Sequence, residues 1–529
     1  MTVSKRVARR VWVASDRWPD ARDLGSWARD AFRLDRARTP QQKAVALYKW
    51  TLICMGRNGP APREGERGRE GYLMDTLKYL AVYGGHYCDG LSRLMINAWG
   101  AAGCGAARKV VICRLGHTVA ELRWRDADGR TRWHAFDPQH GWYVFARGGG
   151  HVASVAEIDA DPELLLSPAD PPRPWFYAKE RRDRYLSREN STRDPAHGRS
   201  PAPRHRMDLD LRRGERWTRR WAPGAQYWPY AMGAEPRPIS HVWVERDLLG
   251  GGIGDGFLGE HVGPYLYPTP RNAWLLHPEE RTRRCRMPGS VELRYRVPLA
   301  AGRFREGAAS AEGAASEAGP SRRRAVLHPA RRQELAQLVY EVRTPYVIAD
   351  AWIESSVRTG RDPLDVVGFH VSTDGGSSWT QVWGNPFAQK GRTSARPRRV
   401  RAAFGAAAHR AGAFSVAGRY GYLVRIDLLA RGDVGLVGLD ELTLATDCQC
   451  GMMALPALAP GANRVRVSVA RPPADGAARL RLEYEWTEPG RGARRLAKLL
   501  PASGGAVSVR VGGRSRRDVR MRSVSLEMI

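Results

Sequence analysis

Gly84-Gly85-His86-Tyr87-Cys88-Asp89-Gly90-Leu91 breaks one helical pattern and opens another, and its flanks decide the fold. Upstream, Thr39-Pro40-Gln41-Gln42 is a helix start, with Thr as N-cap, Pro in the first turn and Gln closing a capping box. Val45, Tyr48, Leu52 and Met55 follow at 3/4/3 spacing, which predicts one apolar face and an end before Gly56. Gly56 to Gly71 reads as a polar loop. A second helix is expected from about Tyr72 to Tyr83, with Leu73, Leu77 and Leu80 on one face, stopping at Gly84-Gly85. The third starts at Cys88, turns Leu91, Leu94, Met95, Ala98 and Trp99 inward, and ends at Gly103. Strand patterns follow at Val110–Cys113, His117–Trp124 and Arg130–Phe136. Helices first and a strand meander after them predict an α+β domain over 39–165, not a parallel α/β one.

The register of the hairpin follows from the length of its loop. If Asp126 pairs with Arg130 across Ala127-Asp128-Gly129, with Gly129 left-handed, Val119 faces Asp137. His117 and Asp137 then share a sheet face as diagonal neighbours, about 7–8 Å apart at Cα. A two-residue Asp128-Gly129 loop would put them on opposite faces.

A cysteine opening a helix, a histidine opening a strand and an aspartate ending the next strand are the parts of one nucleophilic site. A thiol attacks carbonyls as thiolate, and a helix N-terminus and a neighbouring imidazolium both favour that anion. The imidazole can then protonate a leaving amine, while a carboxylate on its other nitrogen fixes its orientation. Taken singly, a cysteine at a helix start is more often a small buried residue and a strand histidine an edge residue. It is the three-part order that points to chemistry.

Gly85-x-x-Cys88, Gly116-His117-x-x-x-Glu121 and Trp133-x-x-x-Asp137-Pro138 together resemble the transglutaminase-like superfamily core. The resemblance covers about a quarter of the chain. It implies a papain-like α+β fold with Cys88 as nucleophile, His117 as base and Asp137 as orienting acid. The activity it implies is acyl transfer on peptide or side-chain amides, with hydrolysis favoured over crosslinking; no cofactor or metal is expected. Val119 departs from the pattern, which commonly has an aromatic there. For the oxyanion hole, the Cys88 backbone N–H is expected, with Tyr87 and His86 as side-chain candidates by position.

The rest of the chain divides by texture. Residues 1–38 read as an N-terminal arm. Residues 166–324 read as an irregular linker or wrapping region, its Ala/Gly/Ser/Glu-rich 305–324 expected to be disordered. In it, Gly254-Asp255-Gly256-Phe257-Leu258-Gly259 matches GxGxxG, but Gly263-Pro264 stands where a nucleotide fold needs a helix. Beyond Ala325 the period becomes two, predicting a β-sandwich over 325–450 and a smaller β domain over 460–529. Ser372-Thr373-Asp374-Gly375-Gly376-Ser377-Ser378-Trp379 resembles the Asp-box hairpin, here a single turn device. The expected whole is multidomain: an α+β transglutaminase-like (papain-like) core followed by all-β sandwich domains.

Composition narrows the partners. The 529 residues carry a formal net charge of +30, the excess almost all arginine and spread through every segment. That is the pattern of a GC-rich, bacterial-type codon bias, so nucleic acid is not the expected partner; were it one, retention on DNA would fall steeply with salt. Expected instead are a protein or peptide substrate and a glycan or protein ligand of the β modules. The second class of function left open is an inactive scaffold whose β modules bind such a ligand. Seven cysteines at irregular spacing make no disulfide framework or zinc knuckle. Cys448-Gln-Cys450 is expected to put two thiols on one side of a strand, and His134, His140 and His151 with Cys113 are not expected to bind metal. No apolar run reaches the ~18 residues of a membrane helix and no signal peptide is evident. The expected location is cytoplasmic for the sequence as it begins, extracellular if the true start lies upstream.

Overall fold

The computed structural model describes residues 7–57, 75–86, 88–112, 117–138, 143–161, 163–164, 190–191, 205–222, 226–228, 237–239, 288–319, 321, 324–385, 396–406, 408, 413–474, 476–488, 490–514 and 519–529. The GxGxxG stretch, residues 58–71 of the polar loop, His140, Cys113 and Tyr87 lie outside the described residues, as does the side chain of His86.

The chain opens with strand β1 (Val7–Ser15) and helix α1 (Leu24–Leu34). Helix α2 (Pro40–Cys54) has the expected start: Thr39 accepts from the Gln42 N–H, and the Gln42 side chain reaches back to the Thr39 N–H. Its single apolar face is corrected. Ala44, Ala46, Leu47, Tyr48, Trp50 and Cys54 are buried over more than half of the cylinder, while Val45 falls with Gln42, Lys49 and Ile53 on the stripe that is not buried. A distant part of the chain helps to cover the wide buried face: the Met453 carbonyl accepts from Trp18 Nε1 at 2.6 Å and lies 3.7 Å from Cys54 Sγ.

Tyr72 and Leu73 of the second expected helix lie outside the described residues; its described part is one α turn, α3 (Thr76–Lys78), capped by Asp75 and continued by a fully buried π turn, Tyr79–Tyr83. Gly84, at φ 66°, ends it in the left-handed region that glycine adopts without strain. Helix α4 (Cys88–Ala101) buries Leu91, Leu94, Met95, Ala98 and Trp99 as the spacing predicts. It packs on an antiparallel meander, β2 (Ala107–Ile112), β3 (His117–Arg125) and β4 (Thr131–Phe136), and Ser92 Oγ donates to the Thr118 carbonyl at 3.0 Å. Val110, Val119, Ala135 and Val144 form a small second core there with helix α5 (Val155–Ala160).

The remainder is β-rich and multidomain in character, and its strands cross the boundaries drawn from texture. Residues 166–324 are not simply linker. They contain β5 (Leu209–Arg212), β6 (Glu215–Arg220), β7 (Pro288–Arg296), β8 (Ala308–Glu312) and β9 (Ala314–Ser316). The last two occupy the low-complexity stretch expected to be disordered. Small side chains gave it no apolar signal, but ladder bonds to existing strands order it: Ala311 pairs with Leu338 and Ala315 with His328.

Next come β10 (Leu327–Pro329), β11 (Ala336–Arg343), β12 (Val347–Thr359), β13 (Val366–Ser372), β14 (Thr380–Gly384), β15 (Arg398–Ala403), β16 (Gly421–Leu429) and β17 (Val437–Gly451). β18 (Gly461–Arg471), β19 (Arg479–Glu488), β20 (Gly492–Pro501), β21 (Gly504–Val511) and β22 (Arg520–Met528) complete the chain. A five-stranded sheet runs β8-β11-β16-β13-β14. A ten-stranded sheet runs β9-β10-β17-β7-β6-β22-β19-β20, with β12 and β15 added along the other edge of β17. The third sheet, β21-β18-β1-β5, takes β1 from the supposed arm as an inner strand. The C-terminal strands therefore share sheets with the N-terminus and with β17, and 460–529 is not a separate sheet system.

Cys448 and Cys450 are both buried on β17, and burial pushes the Cys450 thiol up to about 12, so both are inert thiols on one side of a strand. On the other side, Asp447 is raised to about 6 by burial, then by the charges of Glu292 and Asp350. A carboxyl above its ordinary 3.8 holds its proton more tightly folded than unfolded. Its contribution is therefore greatest below about 3.8 and is lost as pH climbs to about 6. Asp447→Asn is expected to gain on the order of 1–2 kcal/mol at pH 7 and to flatten the pH 4–6 slope of thermal stability, as scanning calorimetry across that window would show.

Candidate active site

The hairpin β3–β4 has the odd loop the site requires. Arg125 pairs with Thr131, Asp126 N–H donates to the Arg130 carbonyl at 2.8 Å, and Gly129 sits at φ 81°. Ala120 faces Phe136, so the next position along places Val119 opposite Asp137. His117 and Asp137 consequently share a face, and His117 Nε2 donates to Asp137 Oδ2 at 2.7 Å. Asp137 is fully buried and His117 5% exposed, which removes the water that would compete for this bond.

With Nε2 committed to the carboxylate, Nδ1 is the nitrogen left for the sulfur of Cys88, which hydrogen-bonds His117 from the first residue of α4. Burial alone would raise a thiol and lower an imidazole. Here both trends are reversed. Burial pulls the His117 pKa down, but the Asp137 charge and hydrogen bond, with the Cys88 sulfur, raise it to about 10. Burial pushes Cys88 up, while the His117 hydrogen bond and charge and the Thr118 backbone N–H bring it below its usual 9.0. Both shifts run towards a thiolate–imidazolium pair at a helix N-terminus, which is what nucleophilic attack on a carbonyl needs.

Three charged neighbours and one backbone donor escaped the sequence reading. Asp89, directly after Cys88, would oppose the thiolate, but Arg93 Nε at 2.8 Å and Lys109 Nζ at 2.7 Å pair with its two oxygens. Both cations are almost fully buried, so the Asp89 carboxylate is neutralised where it stands, one residue from the thiol. The Asp89/Arg93 spacing of four on a helix was a readable signal; Lys109 depends on tertiary packing and was not. Thr118, whose N–H reaches the sulfur, is simply the residue after His117. Glu121, part of the quoted motif, is structural: it accepts from Val155 N–H at 2.8 Å and pairs with Arg108 at 2.6 Å.

The Tyr87 side chain and the His86 ring lie outside what the structure describes, so the side-chain half of an oxyanion hole is not assigned. His134 stacks on Trp124 with centroids 3.5 Å apart and donates Nδ1–H to the Val152 carbonyl, and His151 pairs with Glu157 at 2.8 Å. Among the described residues no group of three potential ligands is placed to hold a metal, and no helix is long and apolar enough to cross a membrane.

No family model matches this sequence and no curated protein matches it. Among solved structures, a GH2 beta-galacturonidase from Eisenbergiella tayi bound to galacturonate is 7% identical with a TM-score of 0.14, over 38% of this chain and 35% of that one. A beta-glucuronidase from glycoside hydrolase family 2 is 8% identical (TM-score 0.13; 37% and 20% covered), and a Paenibacillus xanthan lyase 11% identical (TM-score 0.15; 42% and 24% covered). The chain spans about a third or less of the length of these proteins, and similarity at this level assigns neither fold nor activity.

Proposed function

We propose that the protein is a cysteine acyl-transfer enzyme whose α4–β2–β3–β4 unit is a transglutaminase-like, papain-like core, acting on peptide or side-chain amides. The observation that carries this reading is the His117 imidazole hydrogen-bonded through Nε2 to Asp137 and also to the Cys88 sulfur. The Cys88 thiolate adds to the amide carbonyl. The tetrahedral adduct then collapses by breaking the C–N bond as the His117 imidazolium gives its proton to the departing amine, leaving a thioester. Water, deprotonated by the now neutral His117, attacks the thioester and returns the thiol and a carboxylic acid. Hydrolysis is preferred to transfer onto a second amine because the resemblance implies proteases and amidases.

The test is a single turnover on a library of peptide amides and glutamine side-chain amides, quenched in acid. The expected result is a mass increase on the peptide that contains Cys88, discharged by hydroxylamine. A chain that forms no adduct with any donor, and whose Cys88 alkylates no faster than Cys104 near pH 7, is the scaffold of the second reading instead.

A further inference from the structure

The five-stranded sheet carries a cleft of about 910 Å³ on its outward face, apart from the thiol site. Val339, Glu341 and Arg343 of β11 alternate with buried neighbours, so they point outward, as do Gly421 and Leu423 of β16, their cross-strand partners. One wall is segment 205–210 and the other the hairpin Ser372–Trp379. That volume is at the upper end of what an ordinary small-molecule site encloses and suits a short oligomer lying along the sheet.

Both walls are fixed before any ligand arrives. In the hairpin, Asp374 accepts from the Ser378 N–H at 2.9 Å, the Ser378 hydroxyl at 2.6 Å and the Ser372 hydroxyl at 2.7 Å, with Gly375 at φ 74° and Gly376 at φ 94°. Trp379, half-exposed, is steadied by the Arg425 guanidinium 4.8 Å from its ring centre. Across the cleft, the Lys78 ammonium stands 4.1 Å over the Tyr420 ring, whose centre is 5.3 Å from that of His205. His205 donates Nε2–H to the Pro345 carbonyl at 2.7 Å, and burial, then Lys78, keep it neutral, so Nδ1 remains an acceptor.

The charge pattern selects the ligand. In a chain of net charge +30, this cleft holds Arg10, Arg206 and Arg343 against Asp208, Asp210 and Glu341. Arg343 pairs with Glu341 at 2.6 Å and Arg206 with Asp208 at 3.3 Å, while Asp210 accepts from Arg9 at 3.0 Å. A polyanion would meet three carboxylates and gain little over the rest of the surface. A ligand with many hydroxyls, no charge and apolar C–H faces would use every feature: planar ion pairs as paired donors and acceptors, and the indole, the phenol and Leu423 as flat apolar floor. We infer that this cleft binds a neutral oligosaccharide along the face of the five-stranded sheet.

The experiment uses the full chain and a panel of uncharged oligosaccharides of two to six residues, built from glucose, mannose, xylose, galactose or N-acetylglucosamine. Calorimetry and tryptophan fluorescence are read in parallel. At least one backbone is expected to bind with a Kd between about 10 μM and 1 mM. Trp379→Ala is expected to weaken it about tenfold or more, and Arg343→Ala, at an exposed side chain, about threefold or more. Cys88→Ala should bind unchanged, so this inference stands or falls apart from the acyl-transfer reading. No binding to any neutral member, binding confined to acidic sugars, peptides or nucleic acid, or binding indifferent to both Trp379→Ala and Arg343→Ala would overturn it.

Discussion

Cys88→Ala is expected to remove the fast-reacting thiol of the site and with it thioester formation, and Asp137→Asn to leave the thiol in place but cut its reaction with amide donors by about 10²–10⁴-fold. The second variant is the more informative. The Asp137 charge is the largest influence holding the His117 proton against burial. Without it burial weighs more heavily against the imidazolium, and the cation that holds the Cys88 pKa down is disfavoured. In the unaltered protein, alkylation of Cys88 should rise at a pH below its usual 9.0, the direction in which its pKa is held, and stay level until His117 loses its proton near pH 10. Cys104, whose thiol burial raises, should react appreciably only at higher pH and gives an internal reference. In Asp137→Asn the Cys88 profile should move towards that of Cys104. Rate against pH for each cysteine, followed by peptide mass spectrometry with iodoacetamide, separates the outcomes. A Cys88 profile in the unaltered protein that climbs only above pH 9 would mean a neutral pair and no poised nucleophile. Unchanged thermal stability in Asp137→Asn would show that any loss of rate is chemical and not due to unfolding.

How much of this could be read from residues alone follows from the range of the interactions involved. The His117–Asp137 juxtaposition was legible because an antiparallel hairpin transmits register through parity, and the loop Ala127-Asp128-Gly129 contained the glycine that sets it. Helix α4 was legible because its apolar spacing and its glycine stops are local. The π turn was not, since Tyr79–Tyr83 is buried by tertiary contacts that no 3.6-residue pattern encodes. Nor were the β boundaries. Val11 of β1 pairs with Val469 of β18, more than four hundred residues away, and alternation marks a strand without naming its partner. The Ala308–Ser316 stretch shows the converse, a segment without apolar signal made into strand by neighbours that already exist. At the site, Lys109 lies outward of any sequence motif, and only the packing of α4 on β2 brings it to Asp89.

The contact most exposed to a single change is the one where the β-rich part meets the helical segment leading to Cys88. Gly451 ends β17, and a methyl group on it would stand 2.2 Å from the Leu80 carbonyl oxygen and 3.2 Å from Gly84 Cα and N. Those are backbone atoms, with no flexible side chain to swing aside. Gly451 itself has φ −71°, so alanine meets no conformational penalty there and the clash is purely steric. Two further bonds cross the same junction: Gln449 Nε2 donates to the Val82 carbonyl at 3.4 Å, and Trp18 donates to Met453. Relief requires the π turn and the end of β17 to separate by about 1 Å, against a close-packed interior that resists such movement. Gly451→Ala is therefore expected to cost about 2–3 kcal/mol of stability. Because Gly84 lies four residues before Cys88, the start of α4 should shift with it. Such a shift would loosen the Cys88–His117 contact that holds the thiol pKa down, so Cys88 alkylation at pH 7 should slow beyond what the lost stability explains. Gly432→Ala, where a methyl group meets nothing within 4 Å, is the control and should leave both readouts unchanged. A Gly451→Ala protein that loses stability yet labels at the original rate would show that β17 supports the helices without setting the position of the thiol. Slower labelling at the same thermal midpoint would show instead that the strap from Gln449 to Met453 positions the nucleophile without carrying the fold.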